Sequence, residues 1–298
     1  MTLNILGTGA IGSAIAAGAA KHNIPYRVFS RSPAAAVTVV DQQDQQIMLN
    51  TPLSQPVKLD SSDVLIVPLK AHQIASALQQ WQPFVCVHTP VVLMHNGMGG
   101  AETARHTLPD NPVFLATTRM GALKHSENHV RITGRGTTDI GSISPDIGPL
   151  TAIQEQVLSS LRHCLQDVVW HADIYPSLWH KLSINAVINP LTALNDIPNG
   201  TLLNGRFDSQ IDDICHETAA VMRASGIPAD AKALVSRVRD VAAATAANYS
   251  SMHQDVVHHR QTEIDAINGY IVLQAKKKGI AVPHNALLVE QVTSLTQR

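Results

Sequence analysis

The opening dozen residues limit the possible folds of this chain more than any other stretch. Residues 3–12 read Leu-Asn-Ile-Leu-Gly-Thr-Gly-Ala-Ile-Gly. Leu3, Ile5 and Leu6 make an apolar run of the right length for a buried strand, and Gly7, Gly9 and Gly12 follow in the spacing G-x-G-x-x-G. Residues 13–20 are almost all Ala, Ile and Gly and read as a helix lying close on a sheet. Strand, glycine turn and helix in that order are the context of a dinucleotide-binding unit. Gly7 permits the tight turn, Gly9 keeps a Cβ out of the path of a pyrophosphate, and Gly12 lets the helix approach the strand. The phosphates would rest on free N–H groups at the positive end of the helix. The bland alternative is a glycine-rich turn in an α/β domain that binds nothing.

The next segments extend this pattern. Residues 26–30 read as a second strand. The NAD form of the motif places an acid about 20 residues past the glycines, to hold the ribose hydroxyls. Here that place holds Ser30-Arg31-Ser32. Arg31 has the charge and fork geometry to grip a 2′-phosphate, so the sequence favours NADP(H) over NAD(H), against the reading of Arg31 as a solvated strand-end charge. Residues 63–69 form another buried-type strand. Lys70 and Gln73 follow it at the carboxyl edge, where open α/β sheets hold ligands. Residues 91–94 are a further strand, followed by Asn96-Gly97; Asn96 suits a nicotinamide ribose or a substrate carboxylate, and Asn-Gly is equally a common turn. Residues 114–118, with Gly121-Ala122 after them, give another strand and turn, and 130–132 with 138–140 suggest a terminal hairpin. The alternation predicts a doubly wound, mostly parallel sheet of Rossmann type.

After residue 150 the periodicity turns helical. Residues 150–165 form an amphipathic helix and 168–170 one short strand, so a domain boundary is expected near residue 170, giving domains 1–170 and 171–298 with the second mostly helical. In residues 179–189 (Trp-His-Lys-Leu-Ser-Ile-Asn-Ala-Val-Ile-Asn), Lys181, Asn185 and Asn189 recur every fourth residue. They fall within an arc of roughly 80° on a helix. A solvated face normally carries Glu and Lys rather than Asn, a poor helix former. The stripe therefore reads either as a site or as a polar outer face with a structural Asn cap. Pro190 is expected to kink or restart the helix. Asn199-Gly200 follows in a turn. Residues 231–278 hold one glycine and no proline, with a break expected at Ser250-Ser251. There Ser251 and Gln254 fit a capping box with Ser251 as N-cap, whose exposed N–H groups could also take a carboxylate. Lys276, Lys277 and Lys278 suit a helix C-terminus closed by Gly279, with Pro283 beyond. Glu263 carries no local mark beyond a surface charge.

Composition excludes several classes. Lys plus Arg number 22 against 23 Asp plus Glu, a net charge of −1, so no bulk charge holds nucleic acid or an anionic membrane. No run of 18 apolar residues suggests a span. The cysteines Cys86, Cys164 and Cys215 are odd in number and widely spaced, which suits buried thiols in a reducing cytoplasm. The 15 histidines show no ligand spacing, so no metal is expected.

Taken together, these motifs resemble the ketopantoate reductase (2-dehydropantoate 2-reductase) family of the pantothenate pathway leading to coenzyme A. The resemblance rests on the glycine loop, Arg31, Leu-Lys-Ala-His-Gln at 69–73, His-Asn-Gly-Met-Gly at 95–99 and Ala-Thr-Thr at 116–118. It rests most on Leu-Trp-His-Lys-Leu at 178–182 with Asn-Ala-Val-Ile-Asn-Pro-Leu-Thr-Ala at 185–193. Ser250-Ser251-Met252 with Gln254-Asp255, and Thr-Glu-Ile-Asp at 262–265 with Ile267-Asn268-Gly269, complete it. It covers nearly the whole chain. It implies a Rossmann domain, a helical domain and an active site in the cleft between them. The implied reaction is NADPH-dependent reduction of 2-dehydropantoate to (R)-pantoate, with Lys181 as general acid. The cofactor would meet Gly7, Thr8, Gly9, Ala10, Ile11, Gly12, Arg31, Lys70, Gln73, Asn96, Ala122 and Glu263. The substrate would meet Asn96, Lys181, Asn185, Asn189, Asn199 and Ser251. Pro68 departs from the family, whose members usually carry a residue with a free N–H there. A reductase of another branched 2-oxo acid, or a non-catalytic NADP(H) sensor, remain open, as does monomer against homodimer.

Overall fold

The computed structural model describes residues 1–31, 35–145 and 148–296. By internal contacts the chain divides into two units. One comprises Met1–His95 and Gly100–Ile174, the other Asn96–Gly99 and Tyr175–Arg298.

The first unit opens with β1 (Thr2–Leu6), α1 (Ala10–Lys21) and β2 (Tyr26–Phe29). Two short strands, β3 (Thr38–Val40) and β4 (Gln46–Met48), precede β5 (Asp63–Val67), α2 (Ala71–Trp81), β6 (Val91–Met94) and α3 (Gly100–Thr107). Then come β7 (Val113–Thr118), β8 (Gly121–Ser126), β9 (His129–Gly134), β10 (Thr138–Ser142), α4 (Ala152–Cys164) and β11 (Val168–Trp170). Seven strands form one sheet in the order β11-β10-β7-β6-β5-β1-β2. From β2 to β7 all pairings are parallel; β10 runs antiparallel to β7, and β11 runs parallel to β10.

Burial explains these strands. Every residue of β5 and β6 is buried, the pattern of parallel strands covered on both faces. Helix α1 presents Ala14, Ile15, Ala16, Ala17 and Ala19 to the core. Helix α2 turns inward Ile74, Leu78 and Trp81, spaced by four and three residues. Helix α4 starts at a Thr151 capping box: the Thr151 hydroxyl accepts from Gln154 N at 3.3 Å and Gln154 Oε1 accepts from Thr151 N at 2.8 Å.

The expected terminal hairpin is corrected. β9 pairs with β8 and β3, and β10 belongs to the large sheet. β10 is buried along four of five positions while β9 buries only Val130, so the two segments answer to different environments. β8 and β9 build, with β3 and β4, a second sheet in the order β4-β3-β9-β8.

The second unit is helical. It holds α5 (Tyr175–Asn195), a 3-10 turn Asn199–Leu203, α6 (Asp208–Ala224), α7 (Ala231–Ala244), α8 (Ser251–Val257), α9 (Asn268–Lys278) and α10 (Pro283–Thr296). Residues 231–278 thus form three helices. α7 ends at Thr245 and α8 at His258, with His259 at a positive φ of 51°. The N-cap of α8 is Ser250, not Ser251: the Ser250 hydroxyl accepts from His253 N at 3.1 Å. The tandem serines make the two registers alike in sequence, and the fully helical position fell to Ser251. α5 does not restart at Pro190 but runs through it for 21 residues. Asn199-Gly200, expected in a turn, opens the 3-10 segment. α9 closes on Gly279 at φ 67°, with Ile280 N donating to Ala275 O at 3.0 Å and Gly279 N to Lys276 O at 3.4 Å, a Schellman ending under three lysines.

Among the described residues no helix is long and apolar enough to cross a membrane, and no group of three or more His, Cys, Asp or Glu could hold a metal.

Candidate active site

The strand order of the large sheet reverses at β1, with β2 on one side and β5 on the other. The loops after these three strands line a cleft of about 550 Å³. Its wall includes Gly7, Thr8 and Gly9 after β1, Ser30 and Arg31 after β2, and Lys70 and Gln73 after β5. That is the switch point at which doubly wound sheets bind ligands.

Several features fit this cleft to a dinucleotide. A Cβ on Gly12 would stand 2.5 Å from Gly7 O, so the helix approaches the loop as closely as only glycine allows. A Cβ on Gly9 would meet nothing within 4 Å, leaving open space over the loop. The first turn of α1, which includes Ala10 and Ile11, carries no acidic residue, and its N-cap Gly9 makes no side-chain cap. The helix therefore keeps its N-terminal N–H groups for an anion. No Asp or Glu lies among the described residues lining the cleft, whereas Arg31 and Lys70 do. Pro68 also lines it, and its ring lies 3.2 Å from where a Gly12 Cβ would be.

Lys124 of β8 donates to Thr8 O at 3.0 Å, bringing that strand, two residues beyond Ala122, to the glycine loop. Nothing in the sequence marks Lys124 for this role. An exposed lysine in a strand has no local signal of such a contact.

The second unit gathers a different set. Asn96 donates from Nδ2 to Glu263 Oε2 at 3.2 Å, across 167 residues of sequence. Glu263 is buried, at 7% exposure, so it is not the surface charge that its local sequence suggests. The backbone fixes the pair: Met98 N donates to Ala266 O at 2.8 Å, and Gly97 sits at φ 81°. A Cβ on Gly97 would stand 2.4 Å from Ala266 O, so no other residue fits this turn. With one N–H committed to Glu263, Asn96 retains a second N–H and Oδ1 for a ligand.

On α5, Lys181 and Asn185 are half-buried and Asn189 is buried. Asn199 is buried and donates from Nδ2 to Thr245 Oγ1 at 2.9 Å, while its Oδ1 has no hydrogen-bond partner. The backbone ties Asn199 to the approach to α8, with Asn199 N donating to Asn248 O at 2.9 Å. The Ser250 hydroxyl shares a 2.8 Å hydrogen bond with Thr192, which also donates to Ile188 O at 2.7 Å. Exposed Ser251 is thereby held beside the α5 turn that follows Asn189. His253, which the sequence reading did not single out, supports this corner: its Nε2 pairs with Asp196 Oδ1 at 2.7 Å and Tyr249 stacks on its ring at 4.4 Å.

A Rossmann-type sheet with a glycine-loop cleft at its switch point, followed by a helical unit with a polar stripe, defines a nucleotide-binding α/β chain of the two-domain oxidoreductase type. Residues 3–145 match the family model "Ketopantoate reductase PanE/ApbA", and residues 173–296 match its C-terminal counterpart. The chain belongs to the ketopantoate reductase family. It is 39% identical over 297 residues to a Vibrio cholerae protein named 2-dehydropantoate 2-reductase, covering 100% of this chain and 98% of that one. A Shigella flexneri protein of the same name is 35% identical, with 98% of this chain and 94% of that one covered. Among solved structures, a PanE/ApbA family ketopantoate reductase from Ralstonia eutropha superposes with a TM-score of 0.88 at 24% identity, covering 100% and 99%. D-mandelate dehydrogenase with NADH and anilino(oxo)acetate gives 0.89 at 20%, again covering 100% and 99%. These two likenesses speak for the fold.

Proposed function

We propose that the chain reduces 2-dehydropantoate to (R)-pantoate with NADPH. The relatives that match it from end to end carry the name of that reaction, and this observation carries the proposal. The cofactor form rests on the cleft, which has Arg31 and Lys70 in its wall and no carboxylate among its described residues to take ribose hydroxyls.

In this reading the N-terminal turn of α1 and the loop Gly7–Gly9 bind the pyrophosphate, and Arg31 binds the 2′-phosphate. Lys70 and Gln73 flank the cofactor. A nicotinamide bound there would supply the hydride that the C2 carbonyl carbon of the substrate needs. Lys181, as the ammonium, hydrogen-bonds the carbonyl oxygen, stabilises the negative charge that grows on it and passes it one proton, giving the alcohol. Asn96, steadied by Glu263, orients the nicotinamide ribose and substrate. Asn185 and Asn189 hold the substrate's polar groups, and Ser251 takes its carboxylate. The unpartnered Oδ1 of Asn199 complements a substrate hydroxyl.

The test is the fall of NADPH absorbance with 2-dehydropantoate, with NADH and other 2-oxo acids in parallel. Turnover confined to NADPH and 2-dehydropantoate is expected. Lys181→Ala should lower kcat at least about 10²-fold while leaving NADPH affinity unchanged. An unaltered kcat removes Lys181 from the reaction, and turnover only with another oxo acid overturns the substrate.

A further inference from the structure

Helix α5 contains a proline: Pro190, its sixteenth residue, directly follows Asn189. A proline has no N–H, so the carbonyl four residues earlier, on Ala186, loses its helical donor. That carbonyl follows Asn185 directly. The opened turn therefore lies between Asn185 and Asn189, two of the three polar residues of the stripe.

The missing donor is supplied from another helix. Asn268, at the start of α9 and 0% exposed, donates from Nδ2 to Ala186 O at 2.9 Å. Its other N–H reaches Asn285 Oδ1 at 3.0 Å. The orientation of both amides follows from a carboxylate further along. Glu217 on α6 accepts from Asn285 Nδ2 at 2.7 Å and from Asn285 N at 2.9 Å. It also accepts from His284 N at 2.8 Å and His284 Nδ1 at 2.9 Å. An ionised carboxylate only accepts, so Asn285 must turn its NH₂ to Glu217 and its oxygen to Asn268. Asn268 must then present its own NH₂, and its second hydrogen falls to Ala186. Its Oδ1 remains buried without a partner. A buried amide with one unsatisfied atom carries a cost, which two donated bonds in fixed directions offset.

We propose that Asn268 is a positioning residue for the substrate site: by standing in for the N–H that Pro190 lacks, it fixes the open turn of α5 and thus the relative direction of Asn185 and Asn189. The proposal rests on the reading of those asparagines as substrate contacts. Asn268 touches neither substrate nor cofactor in this scheme. The relay from Glu217 through Asn285 anchors it from α6 and α10.

Removing the proline separates positioning from stability. Pro190→Ala returns a backbone N–H to Ala186 and lets the turn close as ordinary helix. It needs no buried group to be abandoned, so the variant folds. The expected result is a rise of about tenfold or more in KM for 2-dehydropantoate, with KM for NADPH within about twofold of the parent. Asn268→Ala should raise the substrate KM likewise and lower the thermal midpoint. In the double variant the restored N–H satisfies Ala186, so the midpoint recovers in part, Asn285 Oδ1 still lacking its donor, while the substrate KM stays high. The proposal is overturned if Pro190→Ala leaves the substrate KM unchanged, or if KM in the double variant recovers together with stability. If the parent chain turns over no 2-dehydropantoate, the functional reading fails instead, and recovery of the midpoint in the double variant still reports whether Asn268 and Pro190 are coupled.

Discussion

Arg31→Ala is the sharpest probe of the cofactor reading. Arg31 stands at the carboxyl end of β2 and lines the glycine-loop cleft, opposite no carboxylate among its described residues. A hydrogen bond to a charged group contributes about 1.5–3 kcal/mol. Arg31 is exposed, so water and salt screen it, and the lower part of that range applies. About 1.5–2 kcal/mol corresponds to a roughly 12- to 30-fold loss of NADPH affinity. NADH has no 2′-phosphate and should bind the variant and the parent equally. Titrating each coenzyme by fluorescence, at low and at high salt, measures both affinities directly. The gap between parent and variant for NADPH should shrink at about 1 M salt, where the screening length falls to roughly 3 Å. Equal losses for NADPH and NADH would mean that Arg31 supports the loop and reads no phosphate. No loss for either would remove it from the site.

Other outcomes follow from the same structure. Gly9→Ala meets nothing within 4 Å and should keep the thermal midpoint while weakening NADPH binding about tenfold or more, whereas Gly12→Ala, whose Cβ would lie 2.5 Å from Gly7 O, should lose both; calorimetry with coenzyme titration separates them. Burial pushes the Cys164 and Cys215 thiols up to about 12, and Cys86 is only half-buried. A disulfide reagent at pH 8 should therefore count one fast thiol per native chain and three after denaturation. The hydrogen-bonded Lys21 ammonium holds the Asp41 carboxyl below its usual 3.8. Its folded value lies below its unfolded one, so its stabilisation is complete above the ordinary carboxylate range and disappears as pH falls through the lowered value. Lys21→Ala should thus shift acid unfolding to higher pH, with parent and variant converging in stronger acid, as followed by circular dichroism.

Local pattern made much of the first unit legible. β1, the glycine loop and α1 follow from a short apolar run, fixed glycine spacing and a small-residue helix, all within 21 residues. β5, β6 and β7 are buried throughout and mostly apolar because they are covered on both faces, and the ending of α9 declares itself in three lysines and a glycine. The second sheet had no such mark. β3 and β4 have three residues each, too few for an alternation to stand out. The strand that pairs with β3 on its other side, β9, lies about 90 residues on, with Val39 opposite Val130. A pairing of that kind is decided by long-range burial, which no local window contains.

The polar residues of the second unit carry the same lesson into the site. Glu263 looked like a surface charge because nothing within a helical turn of it is special; it is buried because Asn96, from far upstream, brings it a donor. Pro190 signalled a kink or restart of the helix because the chain before and after it holds no substitute for its N–H. The substitute comes from Asn268, 82 positions from the carbonyl it serves, and that amide is aimed by Asn285 and Glu217. A helix former's preference can be read from one residue, whereas the satisfaction of a buried carbonyl depends on a partner. Residue types along α5 were enough to show a polar stripe. The carbonyl within that stripe takes its hydrogen bond from another helix, through Asn268, and no local window along α5 contains that donor.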